Sequence, residues 1–172
     1  MDSEYEREIR TILMLLAFSA RPMTIQEIAE ATAVNLETQC FDPNDRFPDP
    51  FAILEVCSSL VSLAKLDSQS KSTVGAKDPD WVPGTQILHF AHFSVKEFIL
   101  SERAQVMISP SLRIDRIASQ ERITELCLLY MLDLNGGERA VRINHAAFPM
   151  FRYAALHWRK HMAAVSSRNA GT

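Results

Sequence analysis

Apolar positions recur at helical spacing near the start of the chain. Ile9, Ile12, Leu13, Leu16 and Ala17 fall on one face, which predicts a helix over residues 5–19. Arg21-Pro22 ends it, because proline pushes the preceding residue out of the α region. Thr24-Ile25-Gln26-Glu27 has the spacing of a capping box, in which the threonine hydroxyl accepts from the Glu27 backbone and the carboxylate reaches back. A second helix is therefore expected from Ile25 to Ala33, and a helix, a tight corner and a short capped helix form the front half of a helix-turn-helix. The pattern then lapses over residues 35–50, where Pro43, Pro48 and Pro50 stand among Asp42, Asn44, Asp45 and Asp49. That is turn chemistry, an acidic loop with little regular structure. A third helix is expected from Phe51 to about Leu60. From Leu60 to Leu66 the period changes to two, as in a strand, and Gln86 to Ala91 supplies its partner. Between them, residues 67–84 hold Gly75, Pro79, Pro83 and Gly84 and read as a long connection. Three helices followed by a β-hairpin make a winged helix, here with an enlarged wing at 67–84.

Beyond the hairpin the pattern is helical again. Ser94 is expected to cap a helix from Val95 to Glu102, with Glu97 at capping-box spacing. After a break at Pro110-Ser111, Asp115 to Leu134 reads as a long amphipathic helix carrying Ile117, Leu126, Leu129 and Leu132, closed by Gly136-Gly137. Phe148 to Ala164 gives a last helix rich in aromatics, and the polar residues 166–172 are expected to fray. The fold class predicted is mainly α with a small β-hairpin. It comprises a winged-helix domain over residues 5–103, a helical extension over 104–165 and a flexible tail.

Composition narrows the picture modestly. With 172 residues, 47% apolar and 5 glycines, the chain is globular and favours helix over an all-β sandwich. Cys40, Cys57 and Cys127 are odd in number and widely spaced. Cys57 and Cys127 sit in apolar helical patterns, so buried free thiols are expected, and no CxxC pair suggests zinc or redox chemistry. The acidic N-terminus and the short apolar run Ile12 to Phe18 fit neither a signal peptide nor a membrane span, which places the chain in the cytoplasm by default. The net charge of −3 conceals an asymmetry: 8 Lys/Arg against 15 Asp/Glu in residues 1–100, and 10 against 6 in residues 101–172. An electrostatic contact between two functional halves, or two unrelated solvated surfaces, accounts for it equally well.

Several chemistries are weighed and set aside. A DNA-reading third helix needs lysine, arginine, asparagine or glutamine on its exposed face, whereas Phe51 to Leu60 offers Glu55 and two serines; Arg113, Arg116 and Arg122 lie later and among acids. No GxxxxGK[ST] or GxGxxG is present, so no nucleotide cofactor is expected to bind through a phosphate cradle of this chain. His157 and His161, four apart, share a helix face at zinc-ligand spacing, but Arg159 and Lys160 lie beside them and no HExxH glutamate does, so no metal is expected. Ser94 near His92 lacks a nucleophile-elbow context and a third catalytic group, so no enzymatic activity is expected.

Ala91-His92-x-Ser94-x-Lys96-Glu97-Phe98-Ile99, taken with Leu16–Ala31, Phe41–Asp49 and Ile53–Val61, resembles one family. It is similar to the winged-helix and following helical segment of fungal NACHT proteins, which are NLR-like, STAND-class signalling ATPases. This is the GPI inositol-deacylase-type winged helix, usually placed before ankyrin repeats. The resemblance implies a non-enzymatic regulatory or protein-interaction module in fungal signalling, partnered by a NACHT-type ATPase domain or by ankyrin repeats, in cis or in trans. The alternative is a winged-helix nucleic-acid-binding protein. The resemblance further implies that His92 takes part in nucleotide sensing when a partner ATPase domain supplies the nucleotide, against the plainer reading that it caps its corner. Phe151, Tyr153 and Trp158 are the expected partner-binding residues if the last helix is left uncovered, against the plainer reading that they close a core.

Overall fold

The computed structural model describes residues 5–65, 85–135 and 147–169. Among these it is mainly α with small antiparallel sheets: α1 (Glu6–Phe18), β1 (Met23–Thr24), α2 (Ile25–Thr32), β2 (Val34–Asn35), β3 (Cys40–Phe41), α3 (Ala52–Val56), β4 (Val61–Lys65), β5 (Gln86–Phe90), α4 (Phe93–Ile99), α5 (Glu102–Met107), α6 (Arg116–Asn135) and α7 (Phe151–Asn169). The capping box forms as its spacing requires. Glu27 N–H donates to Thr24 Oγ1 at 3.1 Å and Thr24 N–H to Glu27 Oε2 at 2.8 Å.

β5 is the centre of a three-stranded sheet ordered β1-β5-β4, both pairings antiparallel. Leu88 pairs with Met23 on one side and Leu63 on the other. The sheet thus closes the helix-turn-helix corner onto the hairpin, the arrangement of a winged helix. The enlarged wing expected at 67–84 and Gly136-Gly137 lie outside the described residues. One continuous core runs from Ile12, Leu15 and Ile28 through Ile53 and Leu88 to Ile123, Leu126 and Tyr153, so α6 and α7 share the core of the winged helix. Cys57 and Cys127 are buried free thiols within it, pushed up by burial to about 11 and about 12; Cys40 is exposed.

Five local expectations are corrected. The third helix is one short turn-and-a-half, with the chain passing through a 3-10 turn at Ser58–Leu60. The change is made at Cys57, whose N–H bonds back to Ile53 O and whose carbonyl accepts from Leu60 N–H. Ser94 does not cap α4. His92 does, with Nδ1 accepting from Ser94 N–H at 3.2 Å, which moves the helix start forward and puts Glu97 out of capping reach. Ser101 then breaks the expected helix in two by capping α5, its hydroxyl accepting from Ala104 N–H and donating to Phe98 O. The acidic loop contains the β2–β3 hairpin and a 3-10 turn at Pro43–Asp45. Asn35 Oδ1 accepts from the backbone at Glu37 and Thr38, and Gln39 takes a left-handed φ of 54° to reverse the chain. Finally, α7 continues past Ala164 to Asn169.

The loop is ordered because α2 and α6 fasten it. Glu30, on the buried face of α2, is gripped by Arg46, with Nη2 at 2.6 Å from Oε1 and Nε at 2.5 Å from Oε2. Tyr130 of α6 donates its hydroxyl to the same Oε1 at 2.5 Å, and burial, aided by the adjacent Glu30 carboxylate, drives the phenol pKa far above its ordinary value. The Arg46 guanidinium lies over the Phe41 and Phe148 rings and donates to Ala147 O. Asp133 of α6 accepts from Phe41 N–H.

Breaking such a pair strands a buried charge, whereas replacing both members does not. Arg46→Met should therefore cost about 3 kcal/mol or more in urea unfolding, and Glu30→Gln in the same chain should recover a large part of it. Equal losses in the single and double variants would contradict the assignment.

Candidate functional site

Two regions hold the residues singled out from sequence, and they differ in character. The first is the corner where β5 turns into α4. His92 is exposed there, and its Nδ1 serves both Ser94 N–H and Ser94 Oγ, the latter at 2.7 Å. Both are donors to that nitrogen, so the ring proton resides on Nε2, which is free to donate elsewhere. The resulting unit is a cap with one outward-capable donor.

Around this corner α4 and α5 leave much apolar surface in solvent. Phe93 is 69% exposed, Val106 82% and Met107 65%, with Phe98 and Leu100 also exposed. A groove of about 390 Å³ runs beside them, lined by Ile9, Leu13, Leu60, Val95, Ile99 and Leu112. Exposed apolar side chains gathered in this way make α4 and α5 a candidate interaction face. Helical spacing does not mark it, since Ala104 and Met107 lie three apart on α5 and yet one is buried and the other exposed.

The second region is α7, where the structure separates the three expected partner-binding residues. Phe151 and Trp158 are half-buried against the core. Tyr153 is fully buried, so its surface is not offered to a partner; the exposed apolar residues of this helix are Leu156 and Met162. The Tyr153 hydroxyl instead accepts from Ala20 N–H at 2.9 Å and lies 2.8 Å from His161 Nε2. His161 Nδ1 lies 2.6 Å from Gln120 Oε1 of α6. Because a backbone N–H only donates and an amide oxygen only accepts, the proton order is fixed: Tyr153 O–H donates to Nε2 and Nδ1–H donates to Gln120. Both His161 nitrogens are thus occupied, and the His157–His161 pair does not present two lone pairs to one metal ion. Burial, with His157 and Lys160 nearby, lowers the His161 pKa from its ordinary 6.5 to about 4. Burial likewise raises Tyr153 well above its usual phenol value. Gln120 belongs to this chain of contacts, and nothing in the sequence marks it.

The third helix presents Glu55, Ser58 and Ser59 to solvent, with Arg113 and Arg116 on a different part of the chain. The face that a winged helix would use to read bases therefore carries an acid.

Two outcomes follow. At pH 7, nitrogen-detected NMR of the imidazoles should place the proton on Nδ1 in His161 and on Nε2 in His92; the same tautomer in both would contradict the geometry. Tyr153→Phe strands Ala20 N–H and His161 Nε2 together, and should cost about 1–3 kcal/mol in chemical denaturation.

Residues 1–74 match the family described as the GPI inositol-deacylase winged helix domain. Over 172 residues the chain is 30% identical to the azaphilone pigments biosynthesis cluster protein L of Monascus ruber, a match covering 98% of this chain. It spans 33% of that relative's length. No solved structure matches, and no helix among the described residues is long and apolar enough to cross a membrane. The N-terminal part of the chain is accordingly a winged helix similar to that of GPI inositol-deacylase, and the chain as a whole is similar to a third of the Monascus ruber protein.

Proposed function

We propose that this chain is a non-enzymatic regulatory, protein-interaction module of the cytoplasm. In this reading it occupies the place that follows the nucleotide-binding domain in fungal NACHT signalling ATPases and docks on such a domain in cis or in trans. The observation that carries the proposal is the exposed apolar face of α4 and α5, with Phe93, Val106 and Met107 in solvent beside the His92 corner. The winged-helix match over residues 1–74 supports the same placement. His92 supports a nucleotide-sensing role within such a complex. Its Nδ1 is spent on the cap, and an Nε2–H donor remains of the kind a diphosphate oxygen accepts.

The test is titration calorimetry of the chain with a purified ADP-loaded NACHT-type ATPase domain. Binding is expected, and Val106→Glu with Met107→Glu should weaken it at least tenfold while leaving the circular dichroism unchanged. His92→Ala should speed ADP release from the complex without abolishing assembly. Absence of binding, together with salt-sensitive association with duplex DNA that is lost on charge reversal at Arg113 and Arg116, would replace this reading with a nucleic-acid one.

A further inference from the structure

We propose that the Gln120–His161–Tyr153 chain is an acid-operated latch: protonation of His161 disconnects α7 from the α1–α2 corner while the winged helix stays folded. This inference is independent of the docking proposal. It rests on the single polarity of the hydrogen bonds. Ala20 N–H donates to Tyr153, Tyr153 O–H to Nε2, and Nδ1–H to Gln120. A second proton on the ring turns Nε2 into a donor facing a donor. The tyrosine hydroxyl hydrogen must then leave, in a buried site where it has no acceptor among the contacts described, or the chain must part.

The charges around the ring favour parting. From α7 itself, His157 and Lys160 face His161, and Lys160 also donates to Ala20 O at 3.3 Å. From the corner, the Arg21 guanidinium sits 5.2 Å from the centre of the Tyr153 ring. From α2, Glu27 is the near acid, but its carboxylate is taken by Arg21 at 2.6 Å and by Thr24 N–H. From α6 come neutral Gln120 and the Cys127 thiol, which burial holds protonated, while Glu121 and Glu125 are exposed. A new positive charge at His161 thus meets cations and an acid already engaged. Burial is nearly complete at 2% exposure, so water does not screen it.

The direction of the pH effect follows from these facts. With α7 released, His161 returns to water and its ordinary pKa; latched, it refuses the proton until about pH 4. The released form therefore binds protons that the latched form does not. Latching is complete above about pH 6.5 and weakens as the pH falls toward 4. Between pH 7 and pH 5 the ratio of latched to released protein should drop about 25-fold, while surface carboxylates stay largely ionised.

Amide hydrogen exchange of the full chain from pH 7 to pH 5, corrected for intrinsic exchange rates, reads this directly. Amides of α7 around Ala154 to His161 should open about 25-fold more often at pH 5, while those of α1 and α2 hold their protection. His161→Gln keeps one donor and one acceptor but cannot titrate, and should abolish the step. Flat α7 protection, equal loosening of α1 and α2, or an unchanged step in His161→Gln each overturns the latch. Should that variant not fold, NMR titration of His161 in the unaltered chain decides. A pKa near 4 supports the latch, and one above 6 overturns it.

Discussion

The structure turns on a backbone N–H that has no helical partner. α1 stops at Phe18, with Ser19 already extended ahead of Pro22, so the corner before α2 must find other uses for its polar groups. Ser19 N–H returns to Leu15 O, but Ala20 N–H is satisfied by Tyr153, 133 residues further along. The Ala20 carbonyl accepts from Lys160 of the same distant helix. Arg21 completes the corner by lying over the Tyr153 ring and pairing with Glu27, the residue that caps α2. The helix-turn-helix corner is therefore not self-contained. Its hydrogen bonding is finished by α7, which is why the helical extension shares the winged helix's core.

The two buried acids of α2 divide the labour of holding the molecule together. Glu27 faces the corner and α7; Glu30 faces the acidic loop and α6 through Arg46 and Tyr130. Ion pairs of this kind add little net stability over an apolar core, yet they reject misplaced neighbours, because an unpaired carboxylate there is costly. With both ends so committed, α2 is a hub and not a reading surface. Among the described residues, α4 and α5 instead carry exposed large apolar side chains.

Much of this architecture was legible in the sequence where local rules suffice. The α1 stripe, the Thr24–Glu27 box and the period-two strands on either side of the wing each depend on residues within a few positions, and each appears close to where the pattern put it. The failures share a cause. At Ser94 two caps were available within three residues, and the histidine took the helix start because its Nδ1 reached the Ser94 N–H. The acidic loop looked unstructured because its order comes from Glu30, Tyr130 and Asp133, none of which belongs to it. Tyr153 could be read from sequence either as partner-binding or as closing a core, because its surroundings, Ala20, His161 and Gln120, come from three separate segments. Local pattern does not register contacts across such distances.

The β1–β5 pairing joins Met23 to Leu88, and the corner beside it waits for Tyr153. During synthesis, at roughly 5–20 residues per second, the corner is made on the order of ten seconds before the tyrosine that finishes it. For that interval Ala20 N–H has only water as a partner, and the sheet that braces the corner is itself incomplete until β5 emerges. The contact that closes the corner is therefore among the last that the order of synthesis makes available.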